Sequence, residues 1–488
     1  MRKTFLRAAT TLIAILLFEG KPCLAEFLQV VHTNDLHSLL EPSVDKTRPG
    51  YARLKFALDS LKLTAASKGV RTLTLDAGDF AEGSPFYLVD GGAAAWQTLN
   101  LMGYDAVVIG NHDWLAGASH LDKILGSVAP NFALLGANFS FHSKFNNLSA
   151  YFRPYIELTV NDVRIAVIGL TTDEPEFSWL IEEGSVSNPA YSLLKHLPYL
   201  RKNNDFVFVL SHLGKDADIR LAQTVPGIDL VIGGHSHSLL KDPLYVYSPF
   251  GQKVPIVQSG EHGIYIGTML IDLQRNKALK IVKYDLIRTS KFENQDQIVA
   301  KSVSEVRDRL YEIYTEEWLN ETVGYAEVPV GTVADNDKVG IWSMLSANAM
   351  RIAAGTDVAL DAAAFSGPER APGPLSREAI FALYPRVFGF DSHYGWTIWR
   401  AEATGGLLKL AIDESSRMGL SLSFSGIKKF DPSRNYSIAV PEGIGRASIK
   451  MNPIFRTILT NAKDTGVPIW TALEKEVRRV GAINYDSY

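Results

Sequence analysis

Five short polar motifs, each placed where an apolar run ends, carry the residues of this 488-residue chain that could do chemistry. With His112 set aside, they supply four histidines, two aspartates and one asparagine, a mixed set of nitrogen and oxygen ligands that suits a pair of divalent transition metals. The predicted ligands are Asp35, His37, Asp79, Asn111, His212, His235 and His237. Five such motifs in this order predict a binuclear metal site that hydrolyses its substrate.

The spacing of the ligands suggests how they divide between two ions. Asp35 and His37 are two residues apart, and His235 and His237 repeat that spacing after a glycine pair. Side chains two apart in an extended segment point the same way, so we expect Asp35 and His37 to share one metal. His235 and His237 can then serve one ion each. The alternative for Asp35 and His37 is a helix-capping aspartate beside a surface histidine.

The two middle motifs supply oxygen ligands and a candidate catalytic group. Gly78 permits a sharp turn, which lets the Asp79 carboxylate lie between two ions about 3.5–4 Å apart. Asn111 offers a neutral amide oxygen to the second ion. His112 is expected to face the substrate, where it can hydrogen-bond phosphoryl oxygens or protonate a leaving alkoxide. Asp113 is predicted to support the site from behind or to cap the following helix.

The elements that must position these residues are buried strands alternating with amphipathic segments, from Phe27 to about Arg288. Near-continuous runs of Val, Ile and Leu indicate strands covered on both faces, hence a layered α/β or α-β-β-α arrangement. In open α/β sheets, sites lie beyond the carboxyl ends of the strands, and all five motifs fall there.

The length suggests two or three domains. We expect a catalytic domain at 26–290, a linker helix within 291–321, and a smaller α/β domain at 322–488. The alternative for the helix is that it belongs to the core of the second domain.

The first 25 residues are typical of a secretory signal, with basic residues before an apolar run that is short for a bilayer span. Cleavage after Ala25 predicts a periplasmic or secreted protein without a stable membrane anchor. A lipid anchor on Cys23 and a cytoplasmic chain are the alternatives. Cys23 is the only cysteine, so disulfides are not expected in the mature chain. The net charge of -4 does not indicate nucleic acid as an obligate partner.

The motifs resemble those of the calcineurin-like metallophosphoesterases, specifically the bacterial periplasmic 5′-nucleotidase and UDP-sugar hydrolase group. The resemblance implies a four-layer α-β-β-α domain with a smaller C-terminal substrate-binding domain. It also implies two ions, for which manganese, zinc, iron and cobalt are all candidates. One ion would be held by Asp35, His37, Asp79 and His237, and the other by Asp79, Asn111, His212 and His235.

The chain departs from this family pattern in both domains, and Ser38 also stands where a glycine is common. The family often has an aspartate three residues after the catalytic histidine, whereas this chain has Leu115. The resemblance therefore leaves the orienting carboxylate of His112 to Asp113 or to another residue. In the C-terminal domain the later glycine-rich aromatic motif is absent. The resemblance still points to Arg370 as an anion-binding residue and to Phe388 or Phe390 as a base-stacking ring. A surface salt bridge and core packing are the respective alternatives.

These observations lead us to expect an exported phosphohydrolase that cleaves nucleoside 5′-phosphates or nucleotide sugars with metal-activated water. Alternatives with the same metal site are a cyclic-nucleotide phosphodiesterase and a sulfur-ester hydrolase. A non-catalytic periplasmic binding protein is the alternative from another class.

Overall fold

The fold was analysed in a computed structural model. It describes residues 26–44, 46–174, 177, 181, 183–332, 340–387, 394–417, 421–447 and 453–487. The predicted signal segment and the two predicted stacking rings, Phe388 and Phe390, lie outside these ranges. Within them, none of the helices combines the length and apolar character that a bilayer span requires.

Two sheets form the centre of the N-terminal domain. Its strands are β1 Glu26–Thr33, β2 Arg71–Asp76, β3 Ala106–Val108, β4 Ala133–Leu135, β5 Phe139–Phe141, β6 Phe152–Arg153, β7 Tyr155–Val160, β8 Val163–Thr171, β9 Gly184–Val186, β10 Phe206–His212, β11 Leu230–Gly233, β12 Leu244–Tyr247, β13 Lys253–Val257, β14 Tyr265–Leu273 and β15 Lys280–Arg288. The first sheet has the order β15-β14-β1-β2-β3-β4-β6, and the second has the order β12-β13-β11-β10-β8-β7. The central strands of both are parallel.

The two sheets pack face to face through an apolar layer. Val30, Leu75 and Val108 of the first sheet meet Val167 and Leu210 of the second in one buried cluster. This pairing explains the uninterrupted apolar runs, because each central strand is covered by the other sheet on one face and by helices on the other.

Helices cover the outer faces of both sheets. They are α1 Tyr51–Ala66, α2 Tyr87–Asp90, α3 Ala93–Met102, α4 Gly117–Ser127, α5 Asn146–Tyr151, α6 Pro189–Asn203 and α7 Lys215–Thr224. The apolar faces of α1, α3 and α4 lie in the cluster on the first sheet, and those of α6 and α7 lie in the cluster on the second. The predicted four-layer α-β-β-α architecture is confirmed.

The predicted linker helix is two helices rather than one continuous helix, α8 Gln297–Ile313 and α9 Glu316–Asn320. The break has a local cause, because the Thr315 side chain accepts a hydrogen bond from the Trp318 amide and starts a new helix. The apolar face of α8 packs on α1 and α3, so this helix docks on the N-terminal domain.

The C-terminal domain has two smaller sheets. Its strands are β16 Thr322–Ala326, β17 Val358–Ala362, β18 Gly373–Ser376, β19 Thr397–Thr404, β20 Leu422–Gly426, β21 Asn435–Pro441, β22 Lys463–Pro468 and β23 Ala482–Ile483. They form one sheet in the order β20-β17-β21-β19-β22 and another in the order β18-β16-β23. Its helices are α10 Ile341–Ala354, α11 Arg377–Leu383, α12 Gly405–Arg417, α13 Glu442–Ala447, α14 Pro453–Leu459 and α15 Ile469–Val480.

Candidate metal centre

The five motifs meet at one edge of the sandwich. Three of them follow β1, β2 and β3 of the first sheet, and the other two close β10 and β11 of the second. Because parallel strands end at the same edge and the two sheets are packed face to face, their ligand loops converge. All seven predicted ligands lie in these loops or at these strand ends.

The first cluster joins Asp35, His37 and His237. The Nε2 atoms of His37 and His237 are 3.1 Å apart, and His237 Nε2 is 3.4 Å from Asp35 Oδ1. The Nδ1 atom of each imidazole makes a hydrogen bond to a neighbouring group. His37 Nδ1 donates to the Glu82 carbonyl at 2.8 Å, and His237 Nδ1 donates to the Glu261 carboxylate. The two Nε2 atoms therefore face each other and the Asp35 carboxylate.

The second cluster joins Asp79, Asn111, His212 and His235. His212 Nε2 lies 3.0 Å from Asp79 Oδ2 and 3.2 Å from Asn111 Oδ1. The Nδ1 atom of His212 is bonded to the Ala77 carbonyl at 2.6 Å and is the protonated nitrogen. Three possible ligand atoms thus face one another, and a His235 ring nitrogen lies within 4.8 Å of ligand atoms of Asp79 and His212.

This arrangement fits divalent cations, since converging lone pairs in a buried site need positive charge between them. The same requirement shows in the protonation of the site. Burial opposes a charged imidazole, yet the Asp79 carboxylate outweighs burial and raises the pKa of His212 to about 10. Ligand atoms of Asp79, His37 and His112 also lie within 4.8 Å of one another. The Asp79 carboxylate is therefore close to His37 of the first cluster as well as to His212 of the second. The donor set and the position of Asp79 are therefore suited to metal binding.

The ligand segments are tight turns, so the prediction of extended segments was wrong. Asp35, His37, His235 and His237 have φ values of 54°, 50°, 72° and 52°, in the left-handed region. Such conformations are costly for residues other than glycine and occur where the surroundings enforce them. Here, for example, the His235 amide donates to the Asp35 carboxylate at 3.0 Å. The histidines and aspartate converge because of these turns.

A carboxylate and an aromatic ring adjoin His235. Its Nε2 atom lies 3.1 Å from Glu174 Oε2, which leaves Nδ1 for the second cluster. The ring of Phe177 lies 5.8 Å from that of His235 and 6.3 Å from that of His112. Phe177 therefore provides an apolar wall beside both histidines. No sequence pattern pointed to Glu174 or Phe177, because they follow β8, which carries no ligand.

His112 lies beside the clusters, as its place in the sequence suggested. Its Nε2 atom is 4.0 Å from Asp79 Oδ2, while Nδ1 is 2.5 Å from Glu82 Oε2. Leu115, at the position of the family's aspartate, is buried. Glu82 is thus the carboxylate next to His112, and the sequence analysis missed it.

Asp113 bonds backbone amides of the two loops that carry Asp79 and Asn111. One carboxylate oxygen accepts the amides of Phe80 and Ala81, both at 2.9 Å. The other accepts the amides of Asp79 at 3.0 Å and Gly110 at 2.8 Å. Asp113 therefore ties the loops after β2 and β3 together. Its bond to Gly110 caps the short 3-10 helix 111–113, while α4 begins only at Gly117.

One arginine of the C-terminal domain contacts a residue beside the centre. Arg370 pairs with Val330 through the backbone, and none of the contacts among described residues joins its side chain to the centre. Arg386 instead places Nη1 3.2 Å from Glu82 Oε2, with Nη2 on the Ala364 carbonyl at 2.8 Å.

Comparison with known proteins agrees with this geometry. Residues 28–239 match the family model described as calcineurin-like phosphoesterase. A 5′-nucleotidase from Bos taurus is 28% identical over 331 residues, which cover 62% of this chain and 56% of the bovine protein. The chain thus spans about half the length of this curated relative.

Two solved structures, both from Thermus thermophilus, share the whole two-domain fold. A 5′-nucleotidase precursor superposes with a TM-score of 0.79 at 22% identity, covering 94% of this chain and 97% of that one. A sulfate thiohydrolase superposes with a TM-score of 0.76 at 18% identity, covering 95% of each chain. At these identities the likeness establishes the fold.

Proposed function

Because residues 28–239 match the calcineurin-like phosphoesterase family model, we propose that the protein is an exported metal-dependent hydrolase of nucleoside 5′-phosphates or nucleotide sugars. The observation that carries the proposal is the convergence of nitrogen and oxygen ligand atoms on both sides of Asp79, with His112 beside them. A purely structural metal site would not need an additional histidine at its open side.

The residues that would hold the ions follow from the two clusters. The first ion would be bound by Asp35, His37, Asp79 and His237, and the second by Asp79, Asn111, His212 and His235. Bound there, two divalent ions such as manganese, zinc, iron or cobalt would supply an activated water nucleophile and neutralise phosphoryl charge. Asp79 would serve both ions, because its carboxylate belongs to ligand groups on both sides.

His112 would perform the proton chemistry of this site. Its Nε2 atom faces Asp79, and Nδ1 is held by Glu82, so the ring can turn only one nitrogen toward a substrate at the clusters. Protonation of the leaving oxygen by Nε2 suits a sugar hydroxyl, which is a poor leaving group. Phe177 beside the ring would limit the access of water.

The substrate assignment is supported by relatives that carry the name 5′-nucleotidase. In this proposal the domain at 322–488 recognises the non-phosphate part of a small-molecule nucleotide, with Arg370 and the rings of Phe388 and Phe390 as candidate contacts. The segment before residue 26 would direct export to the periplasm or medium. The 26–290 domain would carry the chemistry, and the 291–321 segment would connect the two.

The test is hydrolysis of AMP, UDP-glucose, 2′,3′-cyclic AMP and an aryl phosphate by the purified chain with Mn²⁺. We expect phosphate release from AMP or cleavage of UDP-glucose, abolished by chelator and restored by Mn²⁺. His112→Ala should lower the rate on the order of 10²-fold or more, and the exposed His142→Ala should leave it unchanged. Turnover of neither AMP nor UDP-glucose by the manganese-loaded protein would refute the substrate assignment.

A further inference from the structure

Glu82 is a buried carboxylate placed directly behind the candidate proton donor. It lies in the loop after β2, its side chain is 1% exposed, and its Oε2 atom is 2.5 Å from His112 Nδ1. The next residue, Gly83, has φ 144°, and a Cβ atom there would lie 2.6 Å from His37 Cβ. Glycine at position 83 therefore lets this loop pack against the histidine cluster, which brings Glu82 behind His112.

This contact determines which nitrogen of His112 faces the clusters. A carboxylate accepts hydrogen bonds, so it holds the proton of the imidazole on Nδ1. Nε2 is then the nitrogen that exchanges protons on the side of Asp79. A carboxylate that accepts a hydrogen bond from one ring nitrogen of a histidine generally fixes both the tautomer and the orientation of the ring.

The same carboxylate oxygen is held from the other domain. Arg386 Nη1 lies 3.2 Å from Glu82 Oε2, and the Arg386 side chain is 13% exposed. The guanidinium is anchored in its own domain, since Nη2 donates to the Ala364 carbonyl. A buried carboxylate requires such a partner, because an unpaired charge in a dry site is strongly unfavourable.

We propose that Glu82 is the positioning residue for His112 and that Arg386 fixes Glu82, so that the C-terminal domain completes the proton-donating unit of the N-terminal domain. This inference rests on the proposed hydrolase function. In the step it serves, the Nε2 proton of His112 passes to the leaving oxygen as the bond between phosphorus and that oxygen breaks. The Nδ1 proton stays between His112 and Glu82, and Arg386 keeps the carboxylate in line.

Leaving-group dependence separates this role from a structural one. AMP has an alkoxide leaving group that needs a proton, whereas 4-nitrophenyl phosphate has an acidic phenol that does not. Glu82→Gln and Arg386→Gln should lower kcat for AMP on the order of 10- to 100-fold, and kcat for 4-nitrophenyl phosphate by about 3-fold or less. Glu82→Gln combined with His112→Ala should be no slower than His112→Ala alone.

Two control variants isolate the effect. Arg307→Gln removes ion pairs to Glu41 and Glu378 that also join the two domains but do not touch His112. Glu476→Gln removes another buried carboxylate, on α15. Both should keep the ratio of the two kcat values unchanged. Equal losses on both substrates in Glu82→Gln, or losses that add to those of His112→Ala, would overturn the inference.

An independent readout does not involve turnover. In protein labelled with ¹⁵N-histidine, the His112 resonances, assigned by their loss in His112→Ala, should show the Nδ1-protonated tautomer in the metal-free and zinc-loaded wild type. The Nε2-protonated tautomer would refute the role of Glu82. If the wild type hydrolyses neither substrate but shows the expected tautomer, the hydrolase proposal fails while the contact stands.

Discussion

Replacing Asp113 with asparagine should destabilise the loops that carry Asp79 and Asn111 and weaken metal binding. The Asp113 carboxylate accepts four backbone amides, two on each oxygen, at 2.8–3.0 Å. These amides belong to the loops that carry Asp79 and Asn111. An asparagine side chain keeps one oxygen and turns the other into an NH₂ group, so two amides lose their acceptor and face a donor.

The size of the effect follows from two opposing contributions. Two hydrogen bonds to a charged acceptor contribute roughly 3–6 kcal/mol together. Burial and the nearby Asp79 charge raise the pKa of Asp113 well above its ordinary value, so the neutral side chain also relieves an unfavourable charge. Because this relief opposes the loss of the two bonds, we expect Asp113→Asn to destabilise the metal-free protein by less than the roughly 3–6 kcal/mol that the bonds contribute.

Urea unfolding in chelator measures the stability, and calorimetric titration with Mn²⁺ measures the binding. Asp122→Asn is the matched control, because Asp122 accepts the amides of Asn147 and Leu148 in the same way, but on α4 and α5. Asp113→Asn should weaken Mn²⁺ binding about 10-fold or more, as loss of an outer hydrogen bond at a metal site typically does. Asp122→Asn should cost stability alone. Equal Mn²⁺ affinity in the two variants would refute the reasoning.

Two further changes test the packing around the sheets. Burial raises the pKa of Asp361 to about 7, so the folded protein keeps a proton that the unfolded chain releases near pH 3.8. The free energy of unfolding of the wild type should therefore fall, relative to that of Asp361→Asn, as pH rises from about 4 to 7, and it should stay constant above pH 7. The total decrease should be at most roughly 4 kcal/mol, measured by thermal unfolding. Gly267→Ala would place a Cβ atom 2.0 Å from His32 Nε2 inside the first sheet's core. We expect it to lower the melting temperature strongly, and His32→Ala in the same chain to restore part of the loss; a Gly267→Ala melting curve like that of the wild type would contradict this packing.

The sequence could reveal the ligands because each one is local to a strand end. An apolar run followed by Gly-Asp or Gly-Asn-His marks both the strand and the turn, and parallel strands bring their ends to one edge. The conformation of the turns was not predictable in this way. Spacing by two suggested extended segments, whereas Asp35 and His37 converge in left-handed turns held by bonds to distant loops.

The partners of His112 could not be predicted from the sequence, for a different reason. Glu82 is three residues after Asp79, yet nothing in its neighbours distinguishes a buried glutamate in a turn from an exposed one. Arg386 is more remote still, since its contact depends on how the two domains meet. A carboxylate at position 115 would have been local and visible. Its replacement by a long-range pair is visible only in three dimensions.

The ligands of the metal centre come from both sheets, so some interaction must hold the two sets of ligands at the right distance from each other. The first sheet supplies Asp35, His37, Asp79 and Asn111, and the second supplies the remaining three histidines. The apolar layer between the sheets is attractive but not directional, so it cannot set distances to within a few tenths of an ångström.

Two hydrogen bonds between the ligand segments of the two sheets can set those distances. They run from His212 Nδ1 to the Ala77 carbonyl and from the His235 amide to the Asp35 carboxylate. They place the ligands before any ion binds, and bound cations then supply the positive charge that the facing lone pairs require. A substitution in the apolar layer should therefore affect the chemistry if it shifts these two bonds.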